Sequence, residues 1–185
     1  MKTRLLACLL ALAAAPFALG ADEENPYKKA KVGDYATYKM TTKVGTTSLE
    51  GTITQSVTAK TDKELTLKVT GKVNGMDIPA QEQKIDLTKP YDPTKTALPP
   101  GTEAKVEKLK DGTEKVKAAG KEYDTKWETY KIKAKAGGQE IEADVKNWMS
   151  KDLTLLVVKM EMTGEVMGMK IEMEMELSET GSKAD

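Results

Sequence analysis

The sequence has no histidine, and its one cysteine, one phenylalanine and one arginine (Cys8, Phe17 and Arg4) all fall within the first twenty residues. Residues 21–185 therefore lack four side-chain types at once, and each absence excludes chemistry. Without Cys there is no thiol nucleophile and no thiolate metal site. Without His there is no imidazole base, no Ser-His-Asp triad and no conventional zinc site. Without Arg there is no guanidinium fork for phosphate or for guanine edges. No glycine-rich phosphate loop and no EF-hand loop occurs. Lysines alternate with Glu and Asp instead of gathering into a basic patch, which argues against nucleic-acid binding. Setting Lys2 and Arg4 aside leaves 27 basic residues against 29 acidic, a net charge of −2 over residues 21–185. This inventory predicts a non-enzymatic protein without a cofactor.

The first twenty residues read as an export signal. Lys2 and Arg4 form a positive start, Leu5 to Ala15 is apolar but too short to span a bilayer, and Pro16 breaks the run. Ala18-Leu19-Gly20 supplies small residues, so cleavage is expected after Gly20. Leu5-Leu6-Ala7-Cys8 looks superficially like a lipobox, but cleavage before Cys8 would leave almost no apolar segment ahead of it. No later stretch is apolar enough for a transmembrane helix. The expected product is exported, periplasmic or extracellular, and not an integral membrane protein. A chain of 165 residues suits one domain with a real core, here without a disulfide.

What the sequence does have is alternation. In Val166 to Leu177, Met167, Met169, Ile171, Met173, Met175 and Leu177 share one parity, and Lys170, Glu172, Glu174 and Glu176 share the other. Period two over this length is a strand with one dry and one wet face. Similar patterns recur along the chain. After a polar leader, 21–31, Ala36, Tyr38, Met40 and Val44 mark a first strand. Leu49, Gly51, Ile53, Val57 and Ala59 mark a second, and Leu65, Leu67, Val69 and Val73 a third. Asn74-Gly75 is a two-residue hairpin signal leading into Met76 to Leu87. Pro79 predicts an edge position or a bulge there. Residues 88–101, with four prolines, form the longest irregular connection. Thr102 to Lys110 reads as one strand of a pair turning at Asp111-Gly112, with a short helix as the alternative. A long strand follows from Gly120 to Ala136. Its aromatic parity changes between Trp127 and Tyr130, which predicts a bulge or strong coiling. Further strands run from Glu140 to Met149, from Leu153 to Thr163 and through the methionine segment, before a polar tail, 179–185. The expected fold is mostly β, with little helix. It is a single domain over 32–178, an antiparallel meander of nine or ten strands curved into a half-barrel or barrel.

Several short motifs resemble a known pattern. Val32-Gly33-Asp34 with Tyr35 and Tyr38, Gly120-Lys121-Glu122-Tyr123, Lys126-Trp127, and Asn147-Trp148-Met149-Ser150-Lys151-Asp152-Leu153 leading to Lys159 resemble exported bacterial proteins of the lipoprotein-carrier-like superfamily. The resemblance implies a half-barrel sheet whose concave side can hold acyl chains. Two departures stand out. Asp152-Leu153-Thr154 replaces the usual proline-containing turn, and the arginine that carriers place inside the cavity has no counterpart.

Two candidate sites follow. Trp127, Trp148, Met167, Met169, Met173 and Met175 are candidates for lining an apolar ligand groove; the plainer alternative is that they pack the sheet. Met160-Glu161-Met162, Met167-Gly168-Met169 and Met173-Glu174-Met175 each place two thioethers on one strand face. Such pairs suit Cu(I) or Ag(I), although no His or Cys anchors a site. The carboxylates Glu172, Glu174, Glu176, Glu140, Glu142 and Asp144 read as a solvated face paired with lysines rather than as glycosidase or calcium ligands. Ser150-Lys151 is not a catalytic dyad, because adjacent strand residues point to opposite faces. The sequence therefore leads to an exported β protein that binds or carries a lipid or other apolar ligand, or serves as an envelope scaffold, with soft-metal binding as the alternative.

Overall fold

The computed structural model describes residues 25–90, 103–136, 139–166 and 168–183. The expected signal segment, residues 91–101 of the proline-rich connection, the Gly137-Gly138 turn and Met167 lie outside the described residues. Among the described residues nine strands form one sheet: β1 (Asp34–Val44), β2 (Thr47–Lys60), β3 (Glu64–Val73), β4 (Met76–Asp86), β5 (Glu103–Ala118), β6 (Lys121–Ala136), β7 (Gln139–Met149), β8 (Val157–Val166) and β9 (Met169–Ser182). All neighbours are antiparallel, in the order β4-β3-β2-β1-β9-β8-β7-β6-β5. Each half of the chain is a meander, and the pairing of β1 with β9 joins the halves at the centre. The sheet is not closed into a barrel, since β4 and β5 remain its two edges.

The sheet is strongly curved. In a flat sheet β5 would stand ~14 Å from β8 and ~19 Å from β9. Instead it comes within 8 Å of both, Cα to Cα. Curling buries the inner face against itself. Ala36, Tyr38, Met40, Ile53, Leu65, Leu67, Ile132, Val145, Met160, Ile171, Met175 and Leu177 share one core. Tyr27 and Ala30, at a short 3₁₀ turn (Pro26–Lys29), and Leu153 and Leu155, between β7 and β8, add to it. Each Leu, Ile, Val or Met among them contributes roughly 1.5–3 kcal/mol through burial. Asn25 caps the 3₁₀ turn by accepting from the Tyr27 amide at 3.1 Å. It also donates to the carbonyls of Asp86 and Lys89 at 3.0 and 3.1 Å, tying the leader to the end of β4.

The local signals account for several elements. Asn74 and Gly75 both have positive φ, 49° and 78°, as the mirror-image hairpin turn requires. Pro79 lies on the edge strand β4, where the register against β3 shifts between Val69 and Gly71, so its missing donor breaks no ladder.

Other expectations need correction. Asp111-Gly112 is not a turn, because β5 runs through it from Glu103 to Ala118. Gly112 is there for packing: a Cβ would stand 2.6 Å from Cζ2 of Trp127. The bulge expected in β6 near Trp127 lies on its partner, where the register shifts between Lys108 and Lys110. The pairing of β6 with β7 runs from Lys126 to Ala136 without a shift. Trp127 and Tyr130 differ in parity because they serve opposite faces. Leu153 to Leu156 is not strand; its side chains fold into the core ahead of β8. The polar stretch beyond Leu177 continues β9 to Ser182, because β1 still offers partners there, up to Asp34 opposite Ser182.

Candidate functional site

Register places the methionines. Met160 of β8 faces Met175 of β9, and Met162 faces Met173. Met175 in turn faces Met40 of β1. All five point inward and are buried. Three central strands thus carry one contiguous thioether patch, with directly opposed Cβ atoms ~4.5–5.5 Å apart. The flexible, polarizable side chains fill the curve of the sheet. Met169, at the start of β9, stands apart at 44% exposure, and Met167 lies outside the described residues.

The tryptophans occupy the other face. Trp127 and Trp148 are cross-strand partners, and Trp148 also faces Lys159, the outward neighbour of Met160. The Lys146 ammonium lies 4.5 Å from the Trp127 ring centre and 4.1 Å from that of Trp148, and Lys159 lies 5.4 Å from Trp148. The Trp148 indole N–H donates to the Glu114 carboxylate. That hydrogen bond, with Lys146 at 3.5 Å, holds Glu114 below the usual carboxylate range. Burial alone would lower the Lys159 pKa, but Glu161 and Glu174, each 2.9 Å away, outweigh it and raise it. The indoles are thus braced by charge on the outer sheet and do not meet the methionines.

Other carboxylates on the outer face pair with lysines. Lys170 pairs with Glu172 at 2.6 Å, and Glu142 pairs with Lys131 and Lys133 at 2.9 and 3.2 Å. Among the described residues no group of three or more His, Cys, Asp or Glu could hold a metal ion. Ser150 is buried, and its Oγ accepts from the Asp152 amide at 3.3 Å, while Lys151 is exposed.

A polar cluster that the apolar patterning conceals sits at one end of the inner face. Glu128, on the same parity as Tyr130 and Ile132, is 0% exposed. It accepts from Lys108 at 2.8 Å and pairs with Lys126 at 3.1 Å, and the Tyr130 hydroxyl donates to it. Lys108 also reaches Asp111 at 3.4 Å. Burial, reinforced by the bond to Glu128, raises the Tyr130 phenol, and the same carboxylate raises Lys108. Opposite Glu128 on β7 is Asn147, also 0% exposed. Neither its amide nitrogen nor its oxygen has a hydrogen-bond partner among the described residues. Leaving such a group unpaired costs about 1–3 kcal/mol. The signal was present in the sequence as a charged residue and an amide at inward parities of β6 and β7.

One transverse row links the two features: Asp111, Glu128, Asn147, Met160, Met175 and Met40 are successive cross-strand partners from β5 to β1. The next row runs Lys108, Tyr130, Val145, Met162, Met173 and Thr42. The inner face thus grades from a charged rim through buried polar groups to soft apolar ones.

No protein-family model matches the sequence, and no curated protein matches it. Two solved structures share the fold. One, from Bacteroides fragilis, is described as an exported protein with a YmcC-like fold. It superposes with a TM-score of 0.53 at 10% identity, covering 82% of this chain and 97% of that one. The other is described as a lipoprotein from Parabacteroides distasonis, with a TM-score of 0.52 at 9% identity over 82% and 96% of the two chains. At such identities the likeness is one of fold alone.

Proposed function

We propose that this chain is an exported, non-enzymatic β-sheet protein whose inner face accepts an apolar ligand at the methionine patch. The carrying observation is the contiguous set Met40, Met160, Met162, Met173 and Met175 at the centre of a curved, open sheet. A core built only to specify a fold is better served by Leu, Ile and Val, whose rotamers are well defined. Methionine is unbranched and adapts to irregular guests, and it recurs at binding surfaces that must repack. In the structure the patch is closed on itself, so a guest enters by displacing thioether side chains. Export is supported by the first twenty residues and by the descriptions of the two fold neighbours, one an exported protein and one a lipoprotein.

A second reading has its own observation. The pairing of Met160 with Met175 and of Met162 with Met173 gathers four thioethers on two adjacent strands, a donor set suited to Cu(I) or Ag(I). One experiment separates the readings. An environment-sensitive acyl probe and Ag(I) are titrated separately into the wild type and a variant with Met160, Met162, Met173 and Met175 all replaced by Leu. Saturable probe binding by the wild type that weakens in the variant supports the apolar acceptor. Ag(I) stabilisation of the wild type alone, without probe binding, supports the metal. If neither ligand binds, the patch is core and the protein is a scaffold.

A further inference from the structure

We propose that the Glu128–Asn147 end of the inner face is a head-group site. It takes an amphiphile whose polar end is uncharged and both donates and accepts hydrogen bonds, as a primary amide or a hydroxyl does. This rests on the reading of the methionine patch as an apolar acceptor and assigns the class of molecule that patch receives.

Three observations converge. Asn147 is fully buried, and both its amide atoms lack partners among the described residues. An amide offers two donors and an acceptor, so its natural complement presents both kinds of group. Next, the surrounding charges already balance: Glu128 and Asp111 stand with Lys108 and Lys126. A charged head group would leave one buried charge in excess, whereas a neutral polar group would not. Finally, the geometry gives both access and direction. Lys108, Lys126 and Asp111 have side chains 42%, 37% and 53% exposed, yet the two lysines touch Glu128. Asn147 is therefore one residue below the surface. From it the row continues over Met160, Met175 and Met40, three strand spacings or ~14 Å, which gives the apolar chain its path.

The test uses five probes with the same dodecyl chain: dodecanamide, 1-dodecanol, dodecyl methyl ether, dodecanoate and dodecyltrimethylammonium. They are titrated into the wild-type protein and Asn147→Leu. The amide and alcohol are expected to bind the wild type roughly tenfold or more tightly than the other three, since each satisfies a buried group that the others leave unpaired. In Asn147→Leu that preference should vanish while chain binding persists. Should the variant not fold, the wild type still decides. The side-chain NH₂ resonances of Asn147 should shift with dodecanamide and stay fixed with dodecyltrimethylammonium, whose head group neither donates nor accepts a hydrogen bond. Equal affinity for all head groups, a preference for a charged one, or a preference that survives in Asn147→Leu overturns the head-group site and leaves the apolar acceptor standing. If no probe binds, both fall together.

Discussion

The Trp127 indole lies across the backbone of Gly112, its cross-strand partner, at a distance that leaves no room for a methyl group. A Cβ on Gly112 would sit 2.6 to 3.0 Å from three indole atoms. Gly112→Ala is therefore expected to destabilise the fold by about 1–3 kcal/mol through overpacking. Trp127→Leu should remove most of that penalty in the double variant, and a double-mutant cycle in urea measures the coupling. Additive effects would show that the contact does not matter.

That pair also shows where the sequence misleads. Asp-Gly is a strong turn signal, yet here the glycine serves a neighbouring indole and the strand runs on. Only the partner strand reveals the difference. Period-two patterning locates the methionine strand and the wet carboxylate face, and the Asn74-Gly75 dipeptide locates a hairpin, because those signals are local. The pairing of β1 with β9 joins residues 127 to 148 positions apart, from Val44 opposite Ile171 to Asp34 opposite Ser182, and no local pattern specifies it. Glu128 and Asn147 were legible as polar residues at inward parities. That they are neighbours follows only from the register of β6 with β7.

The polar cluster gives an asymmetric expectation. Lys108 and Lys126 reach solvent, whereas Glu128 does not. Replacing both lysines by Met strands a buried carboxylate and should cost about 3–5 kcal/mol. Glu128→Gln keeps hydrogen-bonding capacity and lets the lysines turn outward, so it should cost less, about 1–3 kcal/mol. Chemical denaturation of the two variants checks the order. The reverse order would mean that the lysines do not hold Glu128.

Stability should fall at alkaline rather than mildly acidic pH. Burial raises the Tyr38 phenol above its ordinary 10.0, and burial with the Glu128 bond raises Tyr130. A raised phenol stabilises the fold in full below its unfolded pKa and loses that contribution as pH rises above it toward the folded value. The lowered carboxylates Glu114, Glu122, Glu142 and Glu172 lie at the surface beside lysines. Their contribution is present above their ordinary 4.5 and lost as pH falls below it, and exposure keeps it small. Tyr38 and Tyr130 should ionise only in the unfolding transition, monitored by tyrosinate absorbance against circular dichroism. Full tyrosine ionisation in the folded state would contradict this.

The two faces of β9 should respond differently. Ile171 is buried on the inner face of the central strand β9, and Ile171→Asp places an unpaired charge there, costing several kcal/mol, on the order of 3–5. Glu174, on the outer face, pairs with Lys159 at 2.9 Å, and Glu174→Lys should cost no more than about 1 kcal/mol. Matching urea midpoints for the two variants would refute the facing.

The most direct test of the methionine patch as an apolar acceptor is methyl NMR of protein carrying ¹³C-labelled methionine, titrated with dodecanol. The ε-methyl resonances of Met40, Met160, Met162, Met173 and Met175 should move together and saturate, while Met76, 68% exposed on the edge strand, stays fixed. Five unmoved buried methyl groups, or a shift confined to Met76, would contradict the account.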